Sequence, residues 1–100
     1  MFGKKSGGDG NYMAKYRKKP IVVEAFILGE TPTPAWWDEA IAANLATPFD
    51  NCAYAILKSS EGFIRVERGE YVIKGIMGEL YPCKPDTFEL LYEPVRDRYF

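Results

Sequence analysis

The sequence GEYVIKGIMGELYPCKPDTFELLY, residues 69–92, is the densest run of turn-forming residues in the chain. It holds three of the nine glycines, two of the seven prolines and one of the two cysteines. Residues 71–76 are β-branched and aromatic, which predicts a strand. Gly75 and Gly78 lie close together and predict a hairpin turn, followed by a returning strand at residues 79–81.

Two prolines and a pair of acidic residues predict how this segment ends. Pro82 and Pro85 lack the N–H that a strand ladder needs, so the returning strand is expected to stop there. Asp86 and Glu89 have the spacing of a capping box. A short helix is therefore predicted from Asp86 to about Tyr92.

Residues 20–28, PIVVEAFIL, carry apolar side chains on both faces of a predicted strand. This pattern is typical of a strand that is covered on both sides. Glu24 is the exception, because a carboxylate in such a run must be paired, protonated or directed into a cavity. Glu24 is thus either a ligand contact for an amine or hydroxyl, or the ion-pair partner of a Lys or Arg on a neighbouring strand.

The main helix is predicted to begin after a proline. Thr33 is a candidate N-cap, with Pro34 at the first helical position. One helical stripe is apolar and consists of Trp37, Ile41 and Leu45. Trp36 lies beside this stripe, where its ring either stacks on a ligand or packs at the margin of the core.

A loop at residues 48–52 and a hairpin are predicted next, with strands at residues 53–58 and 63–68. Arg65 on this hairpin and Lys74 on the following strand are candidates for a cationic ligand-binding spot. The alternative is that each cation pairs with a nearby carboxylate, the candidates being Glu67, Glu70 and Glu79.

Together these elements predict a single α+β domain at residues 13–95. Its antiparallel, twisted sheet is expected to have about four or five strands, with one main helix packed on it and a short C-terminal helix. Residues 1–12 contain four glycines and predict a flexible leader. Residues 96–100 are charged and aromatic and predict a C-terminal tail.

Composition excludes several kinds of chemistry. The chain has 100 residues, no histidine and two cysteines, so Ser-His-Asp and Cys-His pairs and histidine-bound zinc are excluded. Glycine patterns typical of nucleotide-binding loops are missing as well, so no metal or cofactor is predicted. No apolar run approaches the roughly 20 residues of a membrane helix, and the expected location is the cytoplasm.

Charge is distributed unevenly along the chain. Residues 1–19 hold six basic residues and one acidic residue, whereas the remainder holds seven basic and thirteen acidic residues. The basic residues 15–19, with tyrosines nearby, are either a nucleic-acid contact or a solvated lead-in that protects an edge strand. The acidic remainder argues against nucleic acid, since such a footprint normally spreads over a face.

Four residues of the turn-rich segment complete the candidate list. Glu79, Tyr81 and Lys84 are close in sequence and are candidate ligand contacts. Cys83 lies beside Lys84, and a nearby cation lowers a thiol pKa. Because no base completes a catalytic pair, we interpret Cys83 as a small turn residue.

Residues 13–26, MAKYRKKPIVVEAF, and residues 78–95, GELYPCKPDTFELLYEPV, resemble a family of small bacteriophage and prophage proteins. The family takes its name from a Pro-Gly-Asp-Tyr-Gly motif, and residues 68–71 of this chain read Arg-Gly-Glu-Tyr at the corresponding place. The resemblance covers most of residues 13–95. It implies a phage origin and a fold, with no established activity.

The function expected from these features is that of a non-enzymatic phage accessory protein. It would be a small binding module for a host protein or a small charged ligand, with counter-defence sequestration as one role. It would act in the host cytoplasm, and a homo-oligomer is one of its expected states. The alternative is a virion or assembly component that docks neighbouring subunits through the basic N-terminal arm and aromatic C-terminal tail. An enzyme is the least favoured class, because nothing in the sequence places carboxylates such as Glu24 and Glu79 together.

Overall fold

The computed structural model of the chain describes residues 13–95. The predictions of a leader at 1–12 and a tail at 96–100 lie outside these residues. The described elements are β1 (Glu24–Ile27), α1 (Ala35–Ala42), β2 (Ala46–Phe49), β3 (Tyr54–Ser59), β4 (Gly62–Glu67), β5 (Tyr71–Lys74), β6 (Leu80–Cys83) and α2 (Pro85–Leu91). The α+β class, the main helix and the short C-terminal helix are therefore confirmed.

The strands form two antiparallel sheets of three strands each, where one sheet of four or five was expected. Sheet I has the order β1-β5-β6 and sheet II has the order β2-β3-β4. The edge strand β6 lies beside β3 and β4, so the two sheets meet there. The chain thus crosses from sheet I to sheet II after α1 and returns after β4.

The core lies between the inner faces of the two sheets and is closed by α1. Phe26 and Val72 are cross-strand partners in sheet I and share its inner face. Leu57 occupies the inner face of sheet II and is fully buried. Helix α1 contributes Trp37 and Ala40. The buried residues of this core are Leu28, Trp37, Ala40, Ala46, Ala55, Leu57, Val66, Val72 and Leu80.

The outer face of sheet I is covered by α2. The rings of Tyr71 and Phe88 stack with their centroids 3.7 Å apart, and Tyr92 continues the stack at 4.9 Å from Phe88. Ile73 shares this outer face with Tyr71 and has no exposed surface. Sheet I is therefore contacted by other side chains on both faces, which explains why its strands carry apolar residues on both sides.

Helix α1 begins at Ala35 and ends before a left-handed residue. Pro34 occupies the N-cap position and no side chain caps the helix, so the predicted role of Thr33 is wrong. Asn44 has φ of 63°, and the N–H of Leu45 donates to the Ala40 carbonyl at 2.8 Å. This is the C-terminal motif in which an αL residue satisfies the last carbonyls, and it places Leu45 beyond the helix.

Two edge strands contain a proline. Pro48 lies in β2, where the sequence predicted a loop, and Pro82 lies in β6, where it predicted the end of a strand. Both strands lie at the edge of their sheets, so the missing N–H interrupts no inner ladder. Helix α2 then begins at Pro85 with Lys84 as N-cap and no side-chain cap, so the predicted capping box of Asp86 is wrong.

The turn at residues 67–70 joins the two sheets. The N–H of Glu70 donates to the Glu67 carbonyl at 3.0 Å, and Gly69 has φ of 92°. The carboxylate of Glu70 accepts a hydrogen bond from the Glu67 N–H at 3.0 Å. A glycine is favoured here because an L side chain is strained at positive φ.

We expect Gly69→Ala to lower the free energy of unfolding by about 1–2 kcal/mol, the cost of a left-handed L residue. A methyl group at this position meets no atom within 4 Å, so backbone strain is the whole effect. Urea unfolding checks the value, with Gly69→Asn as the control because asparagine tolerates the left-handed region better. An alanine variant as stable as the parent chain would contradict this description of the turn.

Candidate functional site

A cleft of about 230 Å³ opens between α1 and the β5–β6 end of sheet I. Trp36 of α1 and Lys74 of β5 line its two sides, and the Lys74 Nζ lies 6.0 Å from the centroid of the Trp36 ring. The remaining lining residues are Glu39, Ala40, Ala43, Leu45, Gly78 and Leu80. The cleft therefore combines an aromatic face, one cation, one carboxylate and apolar walls.

Trp36 serves both the core and the cleft. Its ring meets Phe26 edge to face at 5.5 Å between centroids, and it packs against the buried cluster. The side chain is nevertheless only half-buried, because its remaining surface lines the cleft. The two interpretations of Trp36 are thus compatible, since the core holds the ring in a fixed orientation.

Lys74 lies opposite Glu24 in the β1–β5 ladder. Cross-strand partners share a face of the sheet, so Glu24 is on the same side as the cleft. Within residues 13–95 Lys74 makes no salt bridge, and Glu24 is exposed. The structure therefore brings three of the predicted site residues together. Trp36 and Lys74 line the cleft, and Glu24 lies beside Lys74 on the inner face of sheet I.

A second groove, of about 510 Å³, adjoins the cleft and shares Leu45 and Leu80 with it. Glu79 and Tyr81 line this groove, as the sequence grouped them. One carboxylate oxygen of Glu79 accepts a hydrogen bond from the Met77 N–H at 3.0 Å, which holds it in the β5–β6 turn. The cleft and the groove are thus lined by four predicted residues, Trp36, Lys74, Glu79 and Tyr81. Tyr81 is the cross-strand partner of Ile73 and therefore belongs to the outer face of sheet I, whereas Lys74 belongs to the inner face.

The Tyr81 hydroxyl is the most perturbed titratable group of this region. Burial, with the neighbouring Tyr92 hydroxyl as a second cause, raises the pKa of Tyr81 to about 12. A raised phenol pKa means that the folded chain holds the proton more tightly than the unfolded chain. Tyr81 therefore remains neutral at physiological pH and acts as a hydrogen-bonding group.

We expect the free energy of unfolding to fall as the pH rises from about 10 to about 12, because an unfolded tyrosine loses its proton first. The contribution is complete below the ordinary pKa of 10.0. Urea unfolding at a series of alkaline pH values measures it, and Tyr81→Phe should remove this part of the pH dependence. An unchanged pH dependence in the Phe variant would contradict the assignment.

Arg65 is separated from the cleft. It lies on the outer face of sheet II, where it pairs with Glu67 and lies 3.8 Å over the Tyr54 ring. The hydrogen bond to Glu67 raises the pKa of the Arg65 guanidinium. The predicted cationic spot of Arg65 and Lys74 is wrong because the two residues belong to different sheets. The alternative, pairing with a carboxylate, holds for Arg65.

Lys84 also has a partner away from the cleft. Its Nζ lies 3.2 Å from the Glu70 carboxylate. The Glu67 N–H and Lys84 together hold the pKa of Glu70 below its ordinary value. The stability from Glu70 is thus present at neutral pH and is lost as the pH falls through this lowered pKa. Lys84 therefore supports the 67–70 turn and does not line the cleft.

The two cysteines are free thiols, and each is half-buried. Cys83 is the last residue of β6, so it belongs to a strand and its interpretation as a turn residue is wrong.

Within residues 13–95 no group of three or more metal-ligating side chains is placed to hold a metal ion. Neither helix of the described chain has the length and apolar character needed to cross a bilayer.

Sequence reasoning missed a groove of about 620 Å³ between α2 and the segment before β1. Residues 20–23 form one wall, while Phe88, Leu91 and Tyr92 belong to the other. Residues 20–28 are apolar on both faces, and this pattern could have predicted that a second element packs against the outer face of the strand. It also missed the stacked pair of Phe49 and Tyr54, 5.1 Å apart, because residues 48–52 were predicted as a loop.

Comparison of the chain with protein-family models, with curated proteins and with solved structures finds no match to any of them. The resemblance to the small phage proteins therefore stays a prediction from the sequence.

Proposed function

We propose that the protein is a non-enzymatic binding module whose cleft between α1 and β5 holds a small ligand with a planar ring and an anionic group. The observation that carries the proposal is the placement of Lys74 Nζ 6.0 Å from the Trp36 ring at the mouth of this cleft. An aromatic face and a cation set side by side match a ring that bears a negative charge. This makes the small charged ligand, among the expected partners, the one that the geometry favours.

The chemistry of the walls supports this ligand class. Trp36 offers a ring face for stacking, and its packing on Phe26 restricts its rotation, so little conformational entropy is lost on binding. Lys74 supplies a charge-assisted hydrogen bond, which is stronger than one between neutral groups. The Glu39 carboxylate in the cleft accepts a hydrogen bond from a ligand N–H or O–H.

The phage resemblance supports a biological setting for such a module. A small phage protein that holds a charged metabolite or signal removes it from the host by mass action, without catalysis. The adjoining groove with Glu79 and Tyr81 extends the space for a larger ligand. The proposed role is therefore that of a phage accessory protein that sequesters its ligand in the host cytoplasm.

A thermal-shift series with nucleoside monophosphates, which are ring-bearing anions, tests the ligand class. A ligand at a hundredfold excess over its Kd stabilises the folded chain by about 2.7 kcal/mol. We expect Lys74→Ala and Trp36→Phe to reduce this shift and Lys84→Ala to leave it unchanged, because Lys84 pairs with Glu70 outside the cleft. No shift with any member of the series, or equal loss in all three variants, would contradict the proposal.

The second candidate function is a virion or assembly component. Residues 13–20 are exposed and form no helix or strand, so their three lysines and one arginine lie within reach of a neighbouring subunit. The C-terminal tail of this hypothesis lies outside the described residues. Mass spectrometry of purified particles distinguishes the two functions, because an assembly component stays with the particle and a sequestering protein does not.

A further inference from the structure

The segment before β1 has the composition of a strand but does not form one. Residues 20–28 have the composition of one continuous strand, yet β1 begins only at Glu24. Ile21 is 46% exposed and Val22 is 68% exposed. A short apolar, β-branched segment that continues directly into an edge strand is a template for pairing with another chain.

The backbone hydrogen bonds show which residues face this edge. The Leu28 N–H donates to the Glu70 carbonyl at 2.9 Å, and the Leu28 carbonyl accepts from the Gly69 N–H at 3.0 Å, so Leu28 faces β5. Hydrogen-bonding direction alternates along an antiparallel strand. Ala25 therefore points its N–H and C=O away from β5, towards an edge that no strand of residues 13–95 occupies.

Residues 20–23 form no strand in the single chain, and all four line the groove beside α2. Where these residues extend β1 as a strand on pairing, the alternation directs the backbone groups of Val23 and Ile21 outwards, as at Ala25. Pro20, which has no N–H, falls at a position that faces the β5 side and leaves the outer edge intact. The extended strand would therefore offer outward donors and acceptors at every second residue from Ile21 to Ala25.

We propose that this edge binds a second copy of the chain, with residues 17–25 of the two copies paired antiparallel around a two-fold axis at Ile21. Outward-pointing residues must lie opposite one another, so a register that places Lys19 opposite Glu24 is excluded. The register centred on Ile21 places Lys18 of one copy directly opposite Glu24 of the other. Because the axis repeats the contact, two such ion pairs form.

The remaining positions of this register are compatible as well. Ile21 lies opposite Ile21 of the second copy, and Val22 lies opposite Pro20, so the exposed apolar side chains cover one another. In the single chain Lys18 Nζ lies 5.7 Å from the Tyr92 ring centroid, on the α2 side of sheet I. The ion pair with Glu24 therefore requires this weak cation–π contact to break and residues 17–19 to rearrange on pairing. The pairing joins sheet I of both copies into one sheet of six strands and adds apolar surface to the groove beside α2.

Sedimentation velocity of the full chain over a concentration series tests the dimer with a matched pair of proline variants. Val23→Pro removes an outward N–H and is expected to abolish the dimer. Val22→Pro removes an N–H that faces the β5 side, beyond the end of β5, and is expected to keep it. Far-UV circular dichroism establishes that both variants fold.

A parent chain that is monomeric at all concentrations would overturn the proposal, whether the edge remains free or another segment of the same chain covers it. Equal dissociation of the two proline variants would overturn it too, because the backbone direction at positions 22 and 23 would then be irrelevant.

A charge exchange tests the register. Lys18→Glu places like charges opposite one another at two sites and is expected to weaken the dimer roughly tenfold, from the usual size of cross-strand charge pairs. The double variant Lys18→Glu/Glu24→Lys restores opposite charges and should recover most of the affinity. A double variant weaker than Lys18→Glu alone would exclude this register. The dimer uses the edge opposite to β6, and the two proline variants leave Trp36 and Lys74 of the cleft unchanged, so they separate dimer formation from ligand binding. Glu24→Lys also changes the cross-strand neighbour of Lys74, so the charge exchange tests the register alone.

Discussion

Trp37→Ala is expected to lower the free energy of unfolding by about 3–5 kcal/mol, the range for removing a large aromatic side chain from a core. Trp37 is 3% exposed, and its ring lies 5.1 Å from that of Phe26. It is the largest side chain that α1 contributes to the space between the sheets. Its loss leaves a cavity that backbone movement fills only in part.

Trp36→Ala is the matched control for this experiment. Trp36 is half-buried and one side of its ring lines the cleft, so its removal should cost clearly less than the removal of Trp37. Urea unfolding followed by far-UV circular dichroism gives both values, since the signal does not depend on the deleted indole. A larger loss for Trp36 than for Trp37 would contradict the orientation of α1.

Ile73→Ala is expected to lower the free energy of unfolding by about 2–5 kcal/mol. Ile73 has no exposed surface although it faces away from the main core, on the side of sheet I that α2 covers. The substitution therefore measures how much the α2 layer contributes to stability. A large effect requires α2 to be packed on the sheet in solution.

Ile76→Ala makes the same chemical change three positions further along. Ile76 is 64% exposed in the β5–β6 turn, so the change should stay within about 0.5 kcal/mol, as is usual for surface substitutions. Chemical denaturation of both variants under one set of conditions provides the comparison. If Ile73→Ala lowered the free energy of unfolding as little as Ile76→Ala, α2 would not cover the outer face of sheet I as described.

Most elements were predictable because their patterns are local. The β3–β4 hairpin, the β5–β6 hairpin and both helices follow from alternating or helical periodicity and from turn residues. Strand β2 was not predictable in this way, because Pro48 and the residues after it have loop chemistry. A proline is tolerated there only because β2 is an edge strand, and edge position is a property of the whole sheet.

The division into two sheets depends on contacts between residues far apart in sequence. The sequences of β4 and β5 do not predict that the turn at residues 67–70 passes from one sheet to the other. The turn itself was detectable through Gly69, and its reinforcement by Glu70 and Lys84 was not. The pairing of β1 with β5 likewise joins residues separated by about half of the chain.

The candidate site was predictable in composition and not in arrangement. Glu24, Trp36 and Lys74 were singled out separately, each because its residue type was unusual in its local pattern. Their proximity follows from the β1–β5 register and from the packing of α1 on sheet I. Arg65 satisfied the same sequence criteria as Lys74, yet the two-sheet topology places it on another surface.

Native mass spectrometry of the full chain, gently purified from expressing cells, tests the ligand-holding function most directly. We expect a discrete added mass on the parent chain that is lost in Lys74→Ala and retained in Lys84→Ala. The bare subunit mass on the parent chain, or an adduct that Lys74→Ala leaves unchanged, would contradict it.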